Sequence, residues 1–162
     1  MAKQECYTKE TEAIVNLAKE KNIKIVNVEE GQKVKLDNST YLEILYIGQD
    51  TQNLNNNSII AKLKYNDFTM LFTGDSEKEE EVEILNLNKN IKADVLKVGH
   101  HGSQTSSSQE FIEKINPKIA LIGVGKKNNF GHPNVEVIKR LESIRCKNLP
   151  NRFMWRNCIG SK

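Results

Sequence analysis

No apolar run in this 162-residue chain approaches the ~20 residues that a membrane-spanning helix needs. Cysteine is sparse. Cys6, Cys146 and Cys158 are odd in number and widely spaced, which excludes a disulfide framework or a zinc knuckle and makes a reducing compartment the default. The opening residues, Met1-Ala2-Lys3-Gln4-Glu5, lead into a polar helix rather than a signal-peptide core. The expectation from these absences is a cytoplasmic chain without membrane contact. Histidine is equally scarce, with three in all and none before His100. Positive charge is scarcer than the net +3 suggests, because residues 145–162 hold five basic residues and no acid. Without those five, 19 Lys and Arg face 21 Asp and Glu, so the body is slightly acidic and does not hold nucleic acid by bulk charge. At 28% charged and 38% hydrophobic residues, the chain reads as one soluble domain with a sizeable core.

Two of the three histidines stand side by side. The mostly apolar run 93–98 reads as a buried strand, and Gly99-His100-His101-Gly102 followed by Ser103, Thr105 and Ser106 reads as a polar loop at its end. Histidines at the C-terminal end of a strand are placed to hold a metal; the alternative is a pair of surface histidines in a turn. Three further stretches accompany them: Asn55-Asn56-Asn57-Ser58, Phe72-Thr73-Gly74-Asp75, and Asn128-Asn129-Phe130-Gly131-His132-Pro133.

The local patterns predict the elements. Thr8 caps a helix to about Lys21, with Ala13, Ile14, Leu17 and Ala18 on one face. Residues 23–28 alternate and read as a strand, 34–36 and 41–47 as a hairpin around Asp37-Asn38-Ser39, and 48–57 as a solvated loop. Residues 58–65 and 68–73 are strands joined at Asn66-Asp67. Ser76 with Glu79, and Ser107 with Glu110, read as capping boxes. The first opens a helix over 79–87, whose acids Glu77, Glu79, Glu80, Glu81 and Glu83 read mostly as a solvated face. The second opens a helix that turns Phe111, Ile112 and Ile115 inward and ends at Pro117. Residues 118–124 read as a strand, and Val135, Ile138, Leu141 and Ile144 recur at helical spacing after Pro133. Hairpins first, then alternating strand and helix, give an α/β layered fold.

In order and spacing, the quoted stretches resemble one family across roughly residues 8–145: the metallo-β-lactamase-like domain of ComEC-type competence DNA-uptake proteins and their free-standing relatives. The pattern is Asn-x-x-Ser, then Thr-Gly-Asp, then Leu-Lys-Val-x-His-His-Gly-Ser-x-x-Ser, then Asn-x-x-Gly-His-Pro, and every part is present. The resemblance implies a four-layer αββα sandwich, of which this chain is similar to the C-terminal half plus connecting hairpins. It implies a divalent metal, zinc or manganese, with two ions in the complete domain. Asp75 matches the bridging carboxylate. One of His100 and His101 matches a late histidine ligand, and its neighbour a supporting group or proton donor. The metal set implied is therefore Asp75, His100 and His101. His132 matches a third, substrate-facing histidine, or is simply a helix-start residue before a proline. Ser103 and Ser106 are phosphate contacts or turn residues, and Asn57 and Ser58 belong to a substrate-binding wall. Lys97 receives no role.

One departure counts most. The family's first metal motif, His-x-His-x-Asp-His, is missing, so the chain is expected to begin partway through the domain and to lack a complete metal site. The function implied is a metal-dependent phosphodiesterase or nuclease linked to DNA uptake, acting on nucleic acid or another phosphodiester. Family domains are often extracytoplasmic. Alternatives are a non-catalytic half-domain or binding module, and another hydrolase of this fold, such as a phosphorylcholine esterase-like or lactonase-like enzyme. A half-sandwich is also expected to leave an apolar sheet face open to self-association.

The organisation read from the sequence is a partial domain over 1–145 and an atypical basic tail over 146–162. The family continues into a strand of the type Ile-Tyr-Arg-Thr-Asp-x-x-Gly-x-Ile, whereas this chain has Lys147-Asn148-Leu149-Pro150-Asn151-Arg152-Phe153-Met154-Trp155-Arg156. With A/T-leaning codons, a one-base shift reads Lys-Ile-Tyr-Arg-Thr-Asp-Leu-Cys-Gly. The Cys-Gly is independent of codon choice, because Met154-Trp155 before Arg156 allows nothing else in that frame. The expectation is a frameshifted tail; the alternative is a divergent basic tail that binds nucleic acid.

Overall fold

The apolar alternation of residues 40–72 folds as antiparallel strands. The computed structural model describes residues 9–49, 53–125 and 128–145. Within these, helix α1 (Lys9–Glu20) precedes β1 (Lys33–Lys35), β2 (Thr40–Ile47), β3 (Ile59–Tyr65) and β4 (Phe68–Phe72). Then α2 (Lys78–Asn86), β5 (Val95–Lys97), α3 (Gln109–Ile115), β6 (Ile119–Leu121) and α4 (Val135–Arg145) follow. Thr8 and the tail over 146–162, with its out-of-frame reading, lie outside the described residues.

The strands form one mixed six-stranded sheet in the order β1-β2-β3-β4-β5-β6. Neighbours from β1 to β4 are antiparallel, so short connections suffice. Asn66, at φ 50°, turns β3 directly into β4, with Tyr65 opposite Phe68. From β4 to β6 the pairing is parallel, which requires crossovers, and α2 and α3 supply them.

One face of the sheet carries the core. Ile60, Leu71, Leu96 and Ala120 pack with Ile84 of α2, with Phe111, Ile112 and Ile115 of α3, and with Val137 and Leu141 of α4. Strand alternation puts Leu63, Met70, Phe72 and Leu121 on the opposite face. These are only half-buried, and Phe68 and Ile119 on the same sheet are exposed.

Several local expectations are overturned. Residues 23–28 are not a strand; β1 pairs only with β2, and Ile23, Ile25 and Val26 are exposed. The apolar stripe of α1 is uncovered too, with Ile14 and Leu17 exposed. Strand β6 is shorter than 118–124. In α4 the buried register is Val137 and Leu141, while Val135 faces solvent.

Neither capping box forms. Glu77 and Ser108 occupy the N-cap positions of α2 and α3, without side-chain cap bonds. Glu81 replaces the second box: its carboxylate accepts the backbone N–H groups of Ser107 and Ser108, the latter at 2.8 Å. Glu80 and Glu81 are both buried rather than part of a solvated face. Burial pushes the Glu81 carboxyl up, against the opposing hydrogen bonds of Ser108 and Ser107 and the charge of Arg140.

Candidate functional site

Three parallel strands end side by side, because Phe72 pairs with Lys97 and Lys97 with Leu121. Their C-terminal extensions carry the chemistry-bearing residues, as expected where strand ends open into loops. Asp75 lies three residues beyond β4, His100 three beyond β5, and Gly123 two beyond β6. The first two loops are tied together: the His100 N–H donates to Gly74 O at 3.1 Å, and the Thr73 hydroxyl donates to Lys97 O at 2.9 Å.

Both histidines of the pair have left-handed backbones, His100 at φ 43° and His101 at φ 55°, and Gly102 follows at φ 79°. Such a run is costly for residues with a Cβ and persists because its surroundings hold it. The Ser103 N–H donates to His100 O at 2.8 Å, the Asn134 N–H to Gly102 O at 2.8 Å, and the Ser106 hydroxyl to Gly99 O at 2.9 Å. We predict that His101→Gly is more stable than His101→Ala by about 1 kcal/mol, since both lose the ring and only glycine relieves the backbone. Paired denaturant titrations check this, and equal midpoints would refute the strain.

His101 Nδ1 is 2.5 Å from Gly123 O, so this nitrogen carries the hydrogen. In the neutral ring the Nε2 lone pair is then free, 3.7 Å from Asp75 Oδ1. Two acceptors facing each other across that gap suit a cation or a proton between them. Both side chains are about half-exposed, so a ligand can reach them. The Asp75 N–H is anchored to the Ser58 hydroxyl at 2.9 Å.

His100 meets a different carboxylate. Its Nδ1 lies 3.1 Å from Glu77 Oε1, within ion-pair distance but off the line of a hydrogen bond. Glu77 also accepts from Asn53 Nδ2 at 2.7 Å, Thr105 Oγ1 at 2.9 Å and Asn55 Nδ2 at 3.3 Å. Partial burial pushes the Glu77 carboxyl up, but the bonds from Asn53, Thr105 and Asn55, with the charge of His100, outweigh it and hold the group below its usual range. The Asn-rich loop is thus part of the site's support rather than a solvated connection: Asn56 is buried and its Oδ1 accepts the Glu77 N–H at 3.1 Å.

His132 completes the cluster. Its ring is edge-on to that of His100, with centroids 5.8 Å apart, and stacked on Phe130 at 5.9 Å. Burial, then the charges of His100 and His101, lower its pKa, which favours the neutral imidazole.

The remaining candidates occupy different positions. Ser106 is sealed from solvent, its hydroxyl donating to Gly99 O and Ser103 O. Ser103 is also buried, paired with Thr105 Oγ1 at 3.0 Å, so both serines brace the loop in this arrangement. The Ser58 hydroxyl donates to Asn55 O at 2.8 Å while holding Asp75, and Asn57 is exposed. Sequence reasoning missed Glu77, reading it as a solvated acid, and assigned nothing to Lys97. The Lys97 ammonium donates to Val98 O at 3.0 Å; burial lowers its pKa, while the Asp75 charge opposes that shift. No residue pattern distinguishes Glu77 from its acidic neighbours; only its position opposite His100 does.

Asp75 and His101 offer two converging donors. Among the described residues no group of three or more His, Cys, Asp or Glu side chains is arranged to hold a metal ion. A catalytic zinc usually has three protein ligands, so the donors present do not by themselves fit such an ion.

No protein-family model matches the chain. Among individual proteins, it is 35% identical over 156 residues to ComE operon protein 3 of Bacillus subtilis, across 93% of this chain and 20% of that protein. It is 38% identical over 78 residues to Recombination protein 2 of Haemophilus influenzae, covering 48% of this chain and 10% of that protein. To Competence protein ComA of Neisseria gonorrhoeae it is 33% identical over 90 residues, covering 55% and 13% respectively. The chain thus spans at most about a fifth of the length of these relatives, whose names together indicate a competence family of the ComEC type.

Proposed function

We propose that this chain forms the carboxylate–histidine wall of a phosphodiester hydrolase site serving competence DNA uptake, and that it does not cleave DNA alone. The observation that carries this reading is the facing of Asp75 Oδ1 and His101 Nε2 at 3.7 Å, with the histidine tautomer set by Gly123 O. Two donors converge where a cation would sit, and a complete site needs further donors besides them. Zinc or manganese would be the cation such a wall helps to hold, and the chemistry it would supply is activation of water. This chain's own contribution is to aim Asp75 and His101, to hold His100 against Glu77, and to keep His132 neutral as a proton acceptor.

The fold reading goes with it. The half-buried Leu63, Met70, Phe72 and Leu121 form the inner face of one sheet of an αββα sandwich, to be covered by the other half. With that face uncovered, the chain binds a hydrophobic dye and self-associates at high concentration. A monomeric chain that leaves the dye dark would count against this.

Two measurements test the site. With added zinc or manganese, DNA cleavage by the purified chain stays at background; strong cleavage that Asp75→Ala abolishes would overturn the incompleteness. Calorimetric titration with zinc shows one weak site that Asp75→Ala and His101→Ala each remove. If the chain binds no zinc, the non-catalytic half-domain becomes the better reading, and the shortage of donors is what favours it.

A further inference from the structure

Phe130 is the most exposed large apolar side chain among the described residues, at 80%. A solitary exposed Phe ordinarily needs no explanation. This one is held out by a braced loop. Asn128 Oδ1 accepts the N–H groups of both Phe130 and His132, at 3.2 and 3.0 Å, and Asn128 Nδ2 donates to His132 O at 2.8 Å. Gly131 makes the turn between them at φ 69°. The ring lies nearly parallel to His132, 19° between planes, and His132 in turn meets His100. A row of three rings therefore runs from open solvent to the histidine cluster.

We infer that Phe130 is a stacking platform for a nucleobase of the strand held at this site. The inference rests on the phosphodiester reading for the phosphate, but the ring contact is argued separately. The neighbours of Phe130 in sequence are Asn128, Asn129 and Gly131, which build no apolar pocket. A flat ring, backed on one face and ringed by polar groups, suits a partner that is itself flat, with apolar faces and polar edges. Nucleobases have that form, and aromatic platforms bind them with little regard to sequence. The slightly acidic body argues against bulk-charge binding. A stacking contact supplies affinity that charge does not.

The test uses the 162-residue chain in chelator, so that hydrolysis plays no part. Binding of a labelled oligothymidylate at low salt is compared with that of an abasic strand of equal length. Phe130→Ala weakens oligothymidylate binding by about tenfold, the loss expected for one stacked base. Phe130→Trp retains it, and the abasic strand binds wild type and Phe130→Ala alike. Equal oligothymidylate binding by wild type and Phe130→Ala would overturn the inference. So would an equal loss on the abasic strand, or no binding by the wild type. Zinc titration of Asp75→Ala reports on the hydrolase reading separately, so either can fail without the other.

Discussion

Glu81→Ala is expected to lower unfolding stability by about 3 kcal/mol, the scale set by losing two charge-assisted hydrogen bonds in a buried site. Glu81 is 1% exposed, and its carboxylate is the acceptor for the first amides of the α3 turn, Ser107 and Ser108. Ser107 is itself buried and has a left-handed backbone at φ 57°, so water cannot readily replace the lost acceptor. Arg140 clamps the same junction from the other side, donating to Ser106 O at 3.3 Å and Ser107 O at 3.2 Å. Truncation would leave unpaired N–H groups where α2, α3 and α4 meet. Glu81→Gln should cost about half as much, because one amide oxygen still accepts. For a domain of this size the alanine variant should melt roughly 6–12 °C lower. A shift of no more than a degree or two would mean that the carboxylate's own desolvation cancels what it stabilises.

Gly48→Ala is expected to cost about 3 kcal/mol as well, at the upper end of overpacking. A Cβ on Gly48 would lie 2.1 Å from the backbone oxygen of Asn56, and 1.9 Å from Glu80 Oε1. The side-chain contact can relieve itself, but the backbone contact cannot without moving the loop. That loop carries Asn53, Asn55 and Asn56, which hold Glu77, and ends at Ser58, which anchors Asp75. The variant should therefore lose the Asp75-dependent zinc binding along with stability. A loss of zinc binding no larger than that of a surface control would separate the loop from the site.

The two variants show where reading residues in order stops short. Alternating apolar strands, the tight turn at Asn66-Asp67, and strand–helix alternation after residue 75 were legible, because each is a local pattern with its own period or turn preference. The histidine pair, Asp75 and His132 were legible as candidates, because few residue types can hold a cation and these few stand at strand ends. Capping was misread. Ser76-x-x-Glu79 and Ser107-x-x-Glu110 satisfy the local rule, yet Glu81, distant in sequence from Ser107, reaches the second position and satisfies the amides instead. The run 23–28 has strand alternation but no partner ladder, so its period alone could not make it a strand.

The sequence by itself thus determined most of the element types, the order of hairpins before alternating strand and helix, and the small set of side chains with metal or proton chemistry, since these follow from periodicity and from the functional groups themselves. Only the tertiary structure decided which of them meet: Asp75 with His101, His100 with Glu77, His132 with Phe130. Those pairings depend on sheet register, on left-handed backbone at residues 100 and 101, and on a carbonyl from the loop after β6 that sets the imidazole tautomer. They are relations between distant segments, and no local pattern encodes them.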